Sequence, residues 1–159
     1  LNEPIEDAWG RSASMLRAIA EHAGPRGIRL VLEALQPVES MIVNSAADTK
    51  RMIEAVDHPA LKACLDMGAM AVAGDTIDDY FDMLGDDVAH VHFVDVAADG
   101  TTHLAWGDGD RDMRADLDRL VARGYRGGVS AETYDWRYFA DPAAADAQVM
   151  AVYRRAIGT

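Results

Sequence analysis

Four residues could do chemistry together: Glu33, Asp66, His92 and Glu132. Each lies at or near the end of a short, mostly apolar run: "IRLVLE" (28–33), "LKACLD" (61–66), "VAHVHFVD" (88–95) and "GGVSAET" (127–133). One acid at the end of such a run is unremarkable. Four ends out of four, using only Asp, Glu and His, form a pattern that chance rarely produces. Three carboxylates brought together repel one another unless a cation lies between them. An oxygen-rich set with one imidazole suits a harder divalent ion, Mn²⁺ first, with Mg²⁺ or Co²⁺ as the other candidates. A structural zinc would favour thiolates.

For the four to meet, the runs must be parallel strands with their C-terminal ends on one edge. The intervening segments fit this. Residues 7–22 carry apolar positions at helical spacing, and "GPRG" (24–27) breaks the chain before the first strand. Helices are expected over 44–56, with Asn44 and Ser45 as cap candidates, over 75–84, and over 112–124, closed by Gly124. Asp141-Pro142 opens a last helix. One helix followed by four strand–helix units, joined by short connections, implies a parallel α/β sheet with right-handed crossovers. In such folds the C-terminal edge carries the active site. Strand alternation also places Val31, Cys64, His90 and Ser130 on the same face as the four residues, one layer below them. Of the two histidines in "HVH", His92 is therefore the ligand candidate. His90 lines the interior, and Cys64 reads as a small core filler.

Composition narrows the function. The chain has 159 residues, is half apolar and carries a net charge of -12. Such a charge repels phosphate backbones, and no Lys/Arg cluster offsets it, so nucleic acid is not an expected partner. No apolar run is long enough to span a membrane. The one cysteine, Cys64, rules out an internal disulfide and fits a reducing cytoplasm. The chain begins with Leu1 rather than Met, from which we expect that something precedes it.

The motifs "LVLEALQPVES", "ACLDMGAM", "HVHFVD", "WGDGD" and "SAET", in this order and spacing, resemble the sugar isomerase/epimerase superfamily with the xylose-isomerase-like barrel, and within it the ketose 3-epimerase branch. The likeness runs over nearly all of residues 8–157. It implies a (β/α)8 TIM barrel of which residues 1–159 are a single domain, the C-terminal half. It implies that Glu33, Asp66, His92 and Glu132 hold the metal, and that Glu33 and Glu132 are the acid/base pair. Glu39 matches a glutamate that contacts the sugar, although its residue type fits a solvated loop acid equally well. His103 is a second substrate-contact candidate that could also be a merely exposed loop residue. The implied reaction is metal-dependent epimerisation at C3 of a ketose or ketosamine through an enediolate. Alternatives are an aldose–ketose isomerase or dehydratase of the same superfamily (hydroxypyruvate isomerase, inosose dehydratase) and a non-catalytic half-barrel remnant. An apurinic-site endonuclease shares the barrel, but the acidic balance opposes it.

Three features depart from the branch. Asp66 is followed by Met67, Gly68 and Ala69, where many relatives have a histidine at the third position. The usual Gly-Glu-Gly is Gly107-Asp108-Gly109. The length is half of a barrel, which leaves two raw sheet edges and an apolar inner face containing Val31, Cys64 and Val129 or its neighbours. Either a missing N-terminal half-barrel or a second copy is expected to cover them.

Overall fold

The structure, a computed structural model, describes residues 4–158. Four strands, β1 (Leu30–Glu33), β2 (Leu61–Asp66), β3 (Val88–His92) and β4 (Gly128–Ser130), pair in parallel in chain order. Six α-helices accompany them among the described residues: α1 (Ile5–Ala23), α2 (Ala46–Val56), α3 (Met67–Ala73), α4 (Ile77–Leu84), α5 (Met113–Ala122) and α6 (Pro142–Ile157). A sheet that adds each new strand beside the last, with a helical crossover each time, is the progression of a (β/α)8 barrel. A doubly wound sheet instead reverses at a switch point. The fold is half of such a barrel.

Helix starts follow local chemistry. The Ser45 hydroxyl accepts from Asp48 N at 3.2 Å, and Thr76 and Asp79 form a reciprocal capping box. Asp141 caps α6 with Pro142 at its first position. Helix α3 has no counterpart in the sequence expectation. "MGAMAVA" is apolar or small all round and shows no helical period, because the segment is buried on most sides. Its signals were the Asp66 cap and the Gly74 stop in the left-handed region.

On the helix-facing side of the sheet, Ala63, Leu65 and Val91 are buried against Met70, Tyr80 and Leu120. The other face carries Glu33, Cys64, Asp66, His90, His92 and Ser130, so the half-barrel interior becomes polar toward its C-terminal edge. Cys64 is buried there. Of Val129 and its neighbours, Ser130 is the one that faces inward. Ser130 turns inward to hydrogen-bond His90, and alternation sends Val129 outward, in register with Val91.

Strand β3 also ends earlier than residue 95. After His92 the chain leaves the ladder, and Asp95 pairs antiparallel with Leu104. The loop this closes is built on Asp95, which is 1% exposed. Its carboxylate accepts from the backbone N–H of Val96 (2.9 Å), Gly107 (2.9 Å), Gly109 (3.0 Å) and Arg111 (3.1 Å). A Cβ on Gly109 would stand 2.5 Å from Asp95 Oδ1, so only glycine allows this approach. Trp106 stacks on Phe93 and donates its indole N–H to Phe93 O at 2.8 Å, which fixes the loop to the core.

Among the described residues β1 pairs only with β2, and β4 only with β3. Apolar side chains stay open beside both edges: Met15, Val31 and Met41 near β1, and Trp136 and Phe139 beyond β4. An open groove of about 800 Å³ separates α1 from β1, with Met15, Leu16, Leu32, Leu35 and Met52 on its walls.

Candidate metal centre and substrate cavity

Parallel pairing with a rising stagger brings the four strand ends together. Glu33 is in register with Cys64, Asp66 with His92, and His92 with Ser130, two residues before Glu132. One ligand atom from each of Glu33, Asp66, His92 and Glu132 lies within 4.8 Å of all the others. His92 Nδ1 is central, 2.8 Å from Glu33 Oε1, 2.7 Å from Glu132 Oε2 and 3.6 Å from Asp66 Oδ2.

The electrostatics follow from this crowding. Contacts with Asp66, then Cys64 and Glu33, push the His92 imidazole up to about 12. Burial alone would raise Asp66. The histidines His103 and His92, and the Ala69 N–H at 2.6 Å from Oδ1, more than reverse this and hold the carboxyl well below the usual carboxylate range. Burial, then the neighbouring Glu33 and Asp66 charges, push Glu132 up against the opposing pull of His92. Burial also pushes the Cys64 thiol up and His90 down.

The donor set fits a divalent cation. Asp66 Oδ2 is buried and has no hydrogen-bond partner. His92 Nδ1 and His103 Nε2 each stand 3.6 Å away, too far for a hydrogen bond. A buried carboxylate oxygen left unpartnered is costly, and a cation at the centre of the four side chains would satisfy it. The mix of carboxylates and one imidazole is an oxygen-rich donor set of the kind that holds divalent cations.

Beside this cluster opens a cavity of about 210 Å³, lined by Glu33, Glu39, Asp66, His103, Glu132 and Tyr134 among others. Both substrate-contact candidates are therefore on its wall. Glu39 is exposed, and its Oε2 accepts from Gln36 N at 3.0 Å. His103 has a left-handed backbone (φ 56°), uncommon for a residue with a Cβ. Its carbonyl accepts from Tyr134 N at 3.0 Å. Its ring passes over Gly68, where a Cβ would meet His103 Cε1 at 3.1 Å. His90 sits below His92, ring edge to face at 5.3 Å, with Nε2 2.8 Å from Ser130 Oγ. Asp108, of the Gly-Asp-Gly turn, is not part of the cluster. It accepts from Tyr138 OH at 2.6 Å and Gln148 Nε2 at 2.8 Å.

Comparison with known proteins gives the family. The family model described as xylose isomerase-like TIM barrel matches residues 1–155. The chain belongs to this family. It is 35% identical over 129 residues to a fructoselysine 3-epimerase of Escherichia coli O157:H7, a match that covers 81% of this chain and 47% of the relative. A 3-dehydroshikimate dehydratase of Pseudomonas putida is 32% identical over 136 residues, covering 80% of this chain and 21% of that protein. Among solved structures, the D-psicose 3-epimerase of Clostridium cellulolyticum H10 superposes with a TM-score of 0.78 at 22% identity, over 98% of this chain and 57% of that one. The chain thus spans about half the length of the epimerase relatives it matches. Most of what the sequence pointed to stands in one place. The signals it missed are Asp95 as the hub of the loop that carries His103, and Gly68 as the notch that admits its ring. An acid inside the apolar run "HFVDV", followed by Gly107 and Gly109, was the available sign of the hub.

Proposed function

We propose that this chain supplies the metal- and proton-handling half of a sugar epimerase that inverts C3 of a ketose or a ketosamine of the fructoselysine or psicoselysine type. The observation that carries the reading is the placement of Glu33 and Glu132 on either side of His92, at 2.8 and 2.7 Å, beside a cavity that also holds Glu39 and His103. Inversion of a carbon needs one group to remove a proton from one face and another to return it on the opposite face. Two glutamates from opposite edges of the sheet meet that need. A divalent ion held by Glu33, Asp66, His92 and Glu132 would, when bound, polarise the C2 carbonyl and make the C3 proton more acidic. One glutamate then takes the C3 proton to give an enediolate, and the other returns a proton from the far side. Glu39 and His103 orient the remaining hydroxyls.

The substrate class, the choice of Mn²⁺ over Mg²⁺ or Co²⁺, and a cytoplasmic setting, inferred from the single cysteine, belong to this proposal. So does the organisation: residues 1–159 form one half-barrel domain. An N-terminal half, or else a second copy, covers the open edges at β1 and β4. No helix among the described residues is long and apolar enough to cross a membrane.

The test is exchange in deuterated water with a ketose substrate and the complete barrel. Deuterium should enter C3 of the product, and Glu132→Gln, which keeps the shape but removes the base, should lower the rate by orders of magnitude. Label at C1 or C2 alone would reassign the protein as an aldose–ketose isomerase. Similarity to the dehydratase favours a second reading, elimination of water after the same proton removal, which an unsaturated product would reveal.

A further inference from the structure

Two loops must hold still for Glu39 and His103 to face one cavity, and a single side chain joins them. Gln36 lies in the segment after β1. Its backbone N–H donates to Glu39 Oε2 at 3.0 Å, and its amide Nε2 donates to Thr102 Oγ1 at 2.9 Å. Thr102 belongs to the loop after β3, 66 residues away in sequence. Its hydroxyl oxygen stands 2.9 Å from His103 Nδ1.

We propose that Gln36 is a positioning residue: through Thr102 it fixes His103 as the tautomer that presents an Nε2–H to the cavity. This rests on the proposed function for its consequence, though not for its chemistry. A threonine hydroxyl has one proton to give. Thr102 Oγ1 accepts from Gln36 with one lone pair and keeps its own proton to give, and giving it to His103 Nδ1 requires that nitrogen to be bare. The opposite end of the ring decides this direction. Nε2 stands 3.6 Å from Asp66 Oδ2, an atom that can only accept, so a bare Nε2 would set two lone pairs facing. At that distance the Nε2–H is not consumed by Asp66 and can reach an oxygen of a molecule in the cavity. The backbone supports the arrangement. His103 is held at φ 56° with its carbonyl on Tyr134 N, and Gly68 leaves the room that the ring and Thr102 Cβ occupy. Gln36 thereby connects the groups expected to orient the sugar without touching the sugar itself.

The test has two arms. Imidazole ¹⁵N spectra of the chain, with and without Mg²⁺ and above the titration of the ring, report which nitrogen carries the proton, with His103 assigned from the signal lost in His103→Gln. A bare Nδ1 and a protonated Nε2 are expected, and Thr102→Ser should retain them. A proton on Nδ1 would overturn the proposal. In the complete barrel, with D-psicose or fructoselysine as probe, Gln36→Ala and Thr102→Val should each raise KM about tenfold, the size of one lost hydrogen bond, while kcat stays within about threefold. The double variant should be no worse than either single one, since both break one chain of contacts. Additive losses, or a Thr102→Ser variant as impaired as Thr102→Val, would also overturn it. If neither sugar is turned over, the functional reading fails, and the spectra still decide the tautomer.

Discussion

Replacing Asp95 with alanine tests how the cavity is held. The substitution removes the acceptor of four backbone N–H groups, those of Val96, Gly107, Gly109 and Arg111. A buried donor left unsatisfied costs about 1–3 kcal/mol. The Val96 contact is buried and the other three are partly so, which puts them near the lower limit because water can reach them in the variant. Four donors then sum to about 4–6 kcal/mol, and the variant no longer bears the cost of burying a carboxylate, which returns part of this. A net loss of about 3 kcal/mol is expected, or roughly 6–12 °C in melting temperature for a domain of this size. Asp95→Asn keeps one accepting oxygen but turns an NH₂ toward two of the four donors, so an intermediate loss is expected. Urea titration measures the total, and amide hydrogen exchange at Gly107, Gly109 and Arg111 shows whether it arises in this loop. A variant within about 0.5 kcal/mol of the parent, with unchanged exchange at those amides, would refute the assignment of Asp95 as the hub.

Four further outcomes are expected. Calorimetric titration with Mn²⁺ or Co²⁺ should give one site per chain and raise stability by about 2.7 kcal/mol at a hundredfold excess over Kd. Asp66→Asn should weaken that site at least about a hundredfold, since it removes a charged ligand, and equal affinity would exclude Asp66. Tyr138→Phe removes the phenol that, more than Gln148, holds Asp108 below the usual carboxylate range, so the Asp108 pKa read by carbon NMR should rise. Because a depressed carboxyl stabilises the fold above its unfolded value, the stability gap between parent and variant should be constant near neutral pH. It should narrow as pH falls below about 4, and a gap that widens in acid would contradict the assignment. Sedimentation and intact mass should find the open edges covered by a second copy or by further chain. A monomer of 159 residues with β1 and β4 bare would refute that.

The sequence by itself determined the four strands, most of the helices and the cluster at their ends. These are local matters. A short apolar run that ends in an acid, a Ser or Asp before a helix, and a glycine after one each leave a mark within a few residues. Parallel pairing then has one sensible outcome, because alternation with short crossovers places all four C-terminal ends on one edge. That is why Glu33, Asp66, His92 and Glu132 were legible as a set and His90 separable from His92. What only the tertiary structure decided depends on partners distant in the chain. Helix α3 is buried on most sides, so it shows no amphipathic period. The end of β3 is set by Asp95, which abandons the sheet to gather amides up to sixteen residues ahead. The join from Gln36 to Thr102 crosses between loops of different strands, and neither loop carries a pattern that names the other. Local chemistry is written in spacing, but contacts between loops are fixed only when the sheet has brought their ends together.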